Sequence, residues 1–311
     1  MGAQSFTASL HYKIVRDKTC AGITDGAWMM GGRTKFFLIA FFLAAAPARA
    51  QPVSDSAIGD FVDSHSSIAR LGKIARWEGG VCPAVTGLPA NFVKFITKRV
   101  RDVAAAAGAP VDPSETCKGN IDIVFTTKPQ ALLDGIRAKE PVMLGYYSSS
   151  EQADRMAKVS YVIQAWHATQ TVDLRGNVLI DSRYAENSGS AMGSRAKSST
   201  GSRLGDGMHS SYYRAVVVAN PDRLADYEIG TLADHIAFVA LAQPDAPDAC
   251  TALPSILDMT NAACRKEAPV KGLTPADTGY LRGLYQIDPG ASLRTQKDGI
   301  IFHIKDALAA R

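Results

Sequence analysis

The stretch that decides the fold is Tyr227-Glu228-Ile229-Gly230-Thr231-Leu232-Ala233-Asp234-His235-Ile236-Ala237-Phe238-Val239-Ala240-Leu241-Ala242-Gln243. From Leu232 onward it is long enough for a helix of about three turns. Leu232, Ile236, Val239 and Ala240 recur at helical spacing, and Ala233, Ala237, Phe238, Leu241 and Ala242 fill the remaining sides. A helix that is apolar all round is buried rather than laid on a surface. The rest of the chain is therefore expected to wrap it. Only Asp234 and His235 interrupt the apolar surface.

Working outward, the N-terminal residues separate from the rest. Arg33 and Lys35 precede the apolar run Phe36–Ala46, and Ala48-Arg49-Ala50 has the form of a cleavage site. This pattern predicts a signal peptide over residues 29–50, with the mature chain starting at Gln51 in the periplasm or outside the cell. The apolar run is short for a membrane span. Met29 and Met30 sit where a signal peptide would start, so residues 1–28 read as an upstream mis-started or disordered extension. The chain's formal charge of +4 belongs to this leader. The leader holds six of the 34 Lys and Arg and two of the 30 Asp and Glu, which leaves 28 of each sign. A balanced mature chain gives no electrostatic reason to expect nucleic acid as a partner. No transmembrane anchor is expected after cleavage.

Cys20 leaves with the leader. Cys82, Cys117, Cys250 and Cys264 remain, an even number that reads as two disulfides in an exported chain. Of three possible pairings, Cys82–Cys117 and Cys250–Cys264 each close a local loop. Loop entropy makes them worth nearly 4 and about 3 kcal/mol if unstrained.

Within the mature chain, residues 51–73 read as a mobile lead-in, with room for one helix around Ala57–Val62. Ile74–Val85 reads as one strand or two. Pro89 to Ala107 reads as a helix with Phe92, Phe95, Ile96, Val100 and Val103 on one face, stopped by Gly108. Ile121–Thr127 is a strand, and Lys128–Ala138 a helix entered through Pro129. Pro141–Tyr147 and Ser160–Ala165 read as strands joined by a polar linker. Trp166–Val172 and Val178–Asp181 make a hairpin broken at Gly176. Residues 187–207, rich in Gly, Ser and Ala, read as a flexible loop rather than a flap. Ser211–Ala219 is a further strand. Thr274-Pro275-Ala276-Asp277 is a helix start, with Thr as the cap, Pro first and an acid third. Its helix turns Tyr280, Leu281 and Leu284 inward. A last helix, from Ser292 or Asp298, carries Ile300, Ile301, Ile304 and Leu308.

This order of elements resembles the zincin metallopeptidases, matrixin-like ones above all. Arg76-Trp77 is similar to their first strand and Asn120–Phe125 to their second. The apolar helix is similar to their HExxH helix, Pro254-Ser255-Ile256-Leu257 to the turn beneath the metal, and Leu273–Asp277 with Leu284-Tyr285 to their closing helix. The likeness covers residues 74–290 and extends to uncharacterised exported bacterial proteins of the same layout. It implies an α+β fold: a mixed twisted sheet, a long N-terminal helix, and a buried central helix in one zincin-like domain over residues 74–311.

The likeness stops at the chemistry. Two His one turn apart can share a Zn²⁺, with a Glu between them as base. Laid on that pattern, Asp234 stands for the first His, His235 for the Glu and Phe238 for the second His. A phenyl ring does not ligate, so zinc is not supported and no cofactor is expected. Asp234 reads better as a capping acid, because Thr231-Leu232-Ala233-Asp234 is itself a capping-box pattern. His235 reads as a core histidine, with general base as its functional alternative. Glu228, Tyr227 and Asp226 read as solvated residues ahead of the helix, with a cleft-lining role as the alternative for Glu228 and Tyr227. His167 and His209 join a site only if folding gathers them, and His65 and His303 read as peripheral. The serine-hydrolase elbow and the nucleotide-binding glycine motifs are absent. The leading expectation is an exported, non-catalytic binding or envelope-associated domain, with an envelope protein or a peptide as partner. A divergent hydrolase using Asp234 and His235 is the runner-up, and an accessory factor or inhibitor of a true peptidase is the third.

Overall fold

Among the described residues, six strands form one open, twisted, mixed sheet. They are β1 (Arg76–Trp77), β2 (Pro83–Thr86), β3 (Ile121–Phe125), β4 (Ile163–Val172), β5 (Val178–Ile180) and β6 (His209–Ala219). The computed structural model describes residues 53–181, 207–261, 263–264 and 269–310. The leader, Gln51 and residues 187–206 of the expected flexible loop lie outside these. The strand order is β2-β3-β6-β4-β5, and β1 pairs with the start of β6. β2, β3 and β6 are parallel, β4 is antiparallel to β6, and β5 is antiparallel to β4.

The alternation of β6 sorts the two faces, because neighbouring strand residues point to opposite sides. Ala215, Val217 and Ala219 face the main core, together with Ile121, Ile123 and Phe125 of β3. Val216 and Val218 face a smaller core with Trp166, Leu133 and Leu144. The main core is filled by α1 (Asp55–His65), α2 (Ala90–Ala107), α5 (Ile229–Leu241), α6 (Pro275–Gln286) and α7 (Leu293–Ala309). The smaller core is roofed by α3 (Pro129–Lys139), a 3-10 turn at Pro141–Leu144 and α4 (Ser150–Met156). Every residue of α5 from Thr231 to Leu241 is buried, as a helix apolar all round requires.

α6 and α7 meet without side chains between them. A Cβ on Gly279 would sit 2.7 Å from Ile304 Cα, and one on Gly283 would sit 2.8 Å from Ile300 Cα. Two glycines one turn apart therefore set this helix contact. The expected capping box is formed: Thr274 Oγ1 accepts from Asp277 N, and Asp277 Oδ2 accepts from Thr274 N. The disulfides are Cys82–Cys117 and Cys250–Cys264, with Cα separations of 6.1 and 5.0 Å.

Several expectations are corrected. The helix expected around Ala57–Val62 is present in the lead-in and is longer, running from Asp55 to His65 as α1. α1 buries Ile58, Phe61, Val62 and His65, and its Phe61 ring meets Tyr280 edge-on. Pro141–Tyr147 is no strand. Pro141 has no N–H for a ladder, and its run closes into the 3-10 turn that buries Met143 and Leu144. The polar linker after it forms α4, with Ser149 accepting from Gln152 N at its start. Only Ile163–Ala165 of the first expected strand is strand, and it runs straight on into Trp166–Val172 as β4, with a bulge between Ala168 and Thr169. On α2 the buried face is Ile96, Val100, Val103, Ala104 and Ala107, whereas Phe95 is exposed.

Candidate functional site

α5 begins three residues earlier than its apolar run, with Glu228 at the capping position. Asp234 therefore lies inside the helix and caps nothing, which corrects the capping assignment. Its carboxylate is held from both sides. Arg99 of α2 donates its Nε–H to Oδ1 at 2.5 Å, and Leu273 N donates to Oδ2 at 3.2 Å. That hydrogen bond raises the Arg99 pKa further. Gly272 makes room for the contact, since a Cβ there would stand 2.8 Å from Asp234 Oδ2. A lone carboxylate inside an apolar helix is tolerated because it is paired and hydrogen-bonded.

Phe238 stands where the resemblance would need a second imidazole. It is fully buried, with His65 at 5.6 Å edge-on and Tyr280 at 5.8 Å. Asp234 and Phe238 are thus committed to structural partners and do not fit a zinc ion. Among the described residues no three His, Cys, Asp or Glu side chains are grouped to hold a metal ion.

The histidines have separate tasks. His167 on β4 donates Nε2–H to Ala240 O at 3.3 Å, and its ring lies 4.5 Å from Tyr212. His209 sits at the start of β6, 2.8 Å from Glu78 Oε2. His303, on the outer helix α7, is half-buried. His65 is not peripheral: it is 2 % exposed and stacks on Phe61 at 3.8 Å. Glu228 is exposed beside a hollow of about 530 Å³ shared with Arg223, Tyr227, Thr231 and Lys271. Among the described residues Glu228, His167 and His209 form no metal-holding group with Asp234 and His235.

His65 belongs to a buried polar knot that the sequence did not disclose. His65 Nε2 lies 3.0 Å from Ser255 Oγ, and Ser255 Oγ donates to Asp277 Oδ1 at 2.7 Å. Asp277 Oδ2 also accepts from Ile256 N and Thr274 N, both at 2.8 Å. Tyr280 OH donates to His65 O at 2.6 Å. Burial pushes Asp277 up to about 6 and His65 down to about 4. The residue types are those of a hydrolytic triad, but the serine stands between its partners. Its hydroxyl lies between the imidazole and the carboxylate, and all three groups are buried. A nucleophile needs an adjacent base and a route to substrate. This knot instead ties the end of α1 to the turn at Ser255 and the start of α6.

His167 Nδ1 is buried with no partner among the described residues, and His235 likewise has one ring nitrogen bonded and the other not, but His235 also lines a cleft. Its Nδ1 donates to Ile256 O at 3.2 Å, so Nε2 carries the lone pair. Nε2 has no partner among the described residues. The ring forms part of the wall of a cleft of about 290 Å³ between α5 and the α4–β4 segment, with Arg155, Lys158, Trp166, Val239 and Gln243. Burial lowers its pKa to about 4. The ring is therefore neutral at neutral pH and too weak a base to lead proton abstraction. Asp234 points to Arg99 rather than to this ring, so the hydrolase pair is not assembled.

Two disulfides staple the chain, and no helix among the described residues is long and apolar enough to cross a membrane. Compared with protein-family models, with curated proteins and with solved structures, the chain matches none of them.

Proposed function

We propose that this chain is an exported, non-catalytic binding domain on a zincin-like scaffold, acting at or outside the cell envelope. The observation that carries the reading is Phe238, whose ring fills the would-be metal face and packs on His65 and Tyr280. The ion pair of Asp234 with Arg99 supports it, since it removes the other potential ligand on the helix. The signal-like leader and the two disulfides support export, because disulfides persist in oxidising compartments. Metal analysis of the purified, dialysed protein tests the non-catalytic part. Zinc below stoichiometry is expected, and one zinc per chain would overturn it. N-terminal sequencing of protein recovered from the envelope fraction tests the export part, with Gln51 expected as the first residue.

A further inference from the structure

We infer that the cleft beside α5 is a binding site for small organic carboxylates that also carry a hydroxyl or amide N–H donor. The assignment rests on the binding role proposed above and names its ligand class. The first observation is an acceptor without a donor. His235 is 3 % exposed, its Nδ1–H is committed to Ile256 O, and the Nε2 lone pair has no partner among the described residues. Nε2 is not a fully enclosed atom, so it is open to the cleft that the ring lines, where a ligand donor or water can complete it. A neutral imidazole nitrogen that can only accept selects a ligand hydroxyl or N–H.

The second observation is charge without a counter-charge. Arg155 and Lys158 line the same cleft, and neither has an ion-pair partner among the described residues. Both are exposed at the mouth. Asp245 is the one acidic residue in the lining, so the cleft carries an excess of one positive charge. Guanidinium and ammonium groups bind carboxylates through charge-assisted hydrogen bonds. Trp166 and Val239 supply apolar wall between these polar ends, the usual make-up of a small-ligand site. The volume, about 290 Å³, lies at the small end of such sites and fits a compact ligand rather than a folded partner.

The test uses N-acetylglycine, which has a carboxylate and one amide N–H, with its uncharged methylamide as the control. Long-range proton–nitrogen NMR of the labelled protein reads the His235 ring directly. In the free protein Nε2 is expected to be unprotonated. N-acetylglycine is expected to shift that resonance, with a Kd on the order of 1 mM for so small a ligand. The surface double variant Arg155→Gln, Lys158→Gln is expected to weaken binding about tenfold, and the methylamide to bind as weakly as the variant. An Nε2 resonance unmoved at saturating probe overturns the assignment, as does equal affinity in the double variant or for the methylamide. Either result leaves the non-catalytic reading standing. Hydrolysis of the bound probe, or stoichiometric zinc, would instead remove that reading and leave the site in place.

Discussion

Three buried histidines make the stability of this domain acutely sensitive to mild acid. His65, His167 and His235 are each lowered by burial from 6.5 to about 4. In the unfolded chain each takes up a proton near pH 6.5, whereas the folded protein resists until about pH 4. Their contribution is therefore fully present above pH 6.5 and is lost as the pH falls through that window. At 1.36 kcal/mol per pK unit, each imidazole accounts for about 3 kcal/mol and the three for about 10. Asp277 works the other way. Its folded-state value is raised to about 6, so the folded state takes up its proton first and regains about 3 kcal/mol on acidification. The net loss between pH 6.5 and 4 is about 7 kcal/mol, comparable to the whole stability of an ordinary domain. Urea unfolding followed by the fluorescence of buried Trp77 and Trp166, repeated from pH 7 to 4.5, measures it. A slope of nearly 3 kcal/mol per pH unit is expected, from a net uptake of about two protons on unfolding. The substitution His167→Gln should reduce that slope by about half. Stability that stays flat from pH 7 to 4.5 would refute the picture of three neutral buried imidazoles.

Other changes follow from the same contacts. Asp277→Ala strands two backbone N–H groups and the Ser255 hydroxyl, each worth about 1–3 kcal/mol when left unpaired. It should cost at least about 3 kcal/mol in urea unfolding, with Asp277→Asn milder, and a smaller loss for the alanine variant would show that the knot is dispensable. Gly283→Ala drives a methyl to within 2.8 Å of Ile300 Cα, so α7 must shift. A loss of about 1–3 kcal/mol is expected, against a gain of up to about 1 kcal/mol for Gly135→Ala inside α3, where nothing lies within 4 Å of the added carbon. Replacing Cys82 and Cys117 together by Ser opens a loop with a sequence separation of 35 and should lower stability by nearly 4 kcal/mol. The same change at Cys250 and Cys264, separated by 14, should lower it by about 3 kcal/mol. Equal effects of the two would argue against the loop-entropy account.

The elements that could be read in advance are those whose causes are local. α5 announces itself by apolar residues on every side, and α6 by Thr274-Pro275 with Asp277 three residues after the cap. The disulfide loops close over short separations. α1 was legible only as a short helix around Ala57–Val62. Ile58, Phe61 and Val62 lie at helical spacing, but the packing of the helix on Tyr280, far along the chain, left no local mark. Asp277 was legible as a capping acid, but its bonds to Ser255 and Ile256 were not, because nothing near it in sequence marks them. His65 had no signal at all, since its partner Ser255 is 190 positions away. The start of α5 was misplaced for a related reason. Thr231 to Asp234 imitates a capping box, yet Thr231 donates to Lys271 O and Asp234 turns to Arg99, so packing overrode the local pattern. At the site, His235 was visible as a residue, but the cations facing it lie on α4 and the turn after it, a segment the sequence presented as a polar linker.

The end of α5 shows what occupies the buried donors around it. The last carbonyls of a helix have no partner within it and need donors from elsewhere. Here Trp77 Nε1 donates to Ala240 O at 2.8 Å, His167 Nε2 donates to the same oxygen, and Tyr285 OH donates to Leu241 O at 2.7 Å. Buried donors must therefore come from β1, β4 and α6, and each is fixed in orientation by that duty. His167 is occupied in this way and His65 in the knot beside Ser255. A histidine committed to a carbonyl or a serine in the core has no freedom to bind metal or move protons for a substrate. His235 is held through Nδ1 in the same way, and it lines a cleft with Arg155 and Lys158, which have no ion-pair partner among the described residues. Rigid fixation of one ring nitrogen is what makes the other a selective acceptor, since the lone pair has one direction and the ring keeps one tautomer.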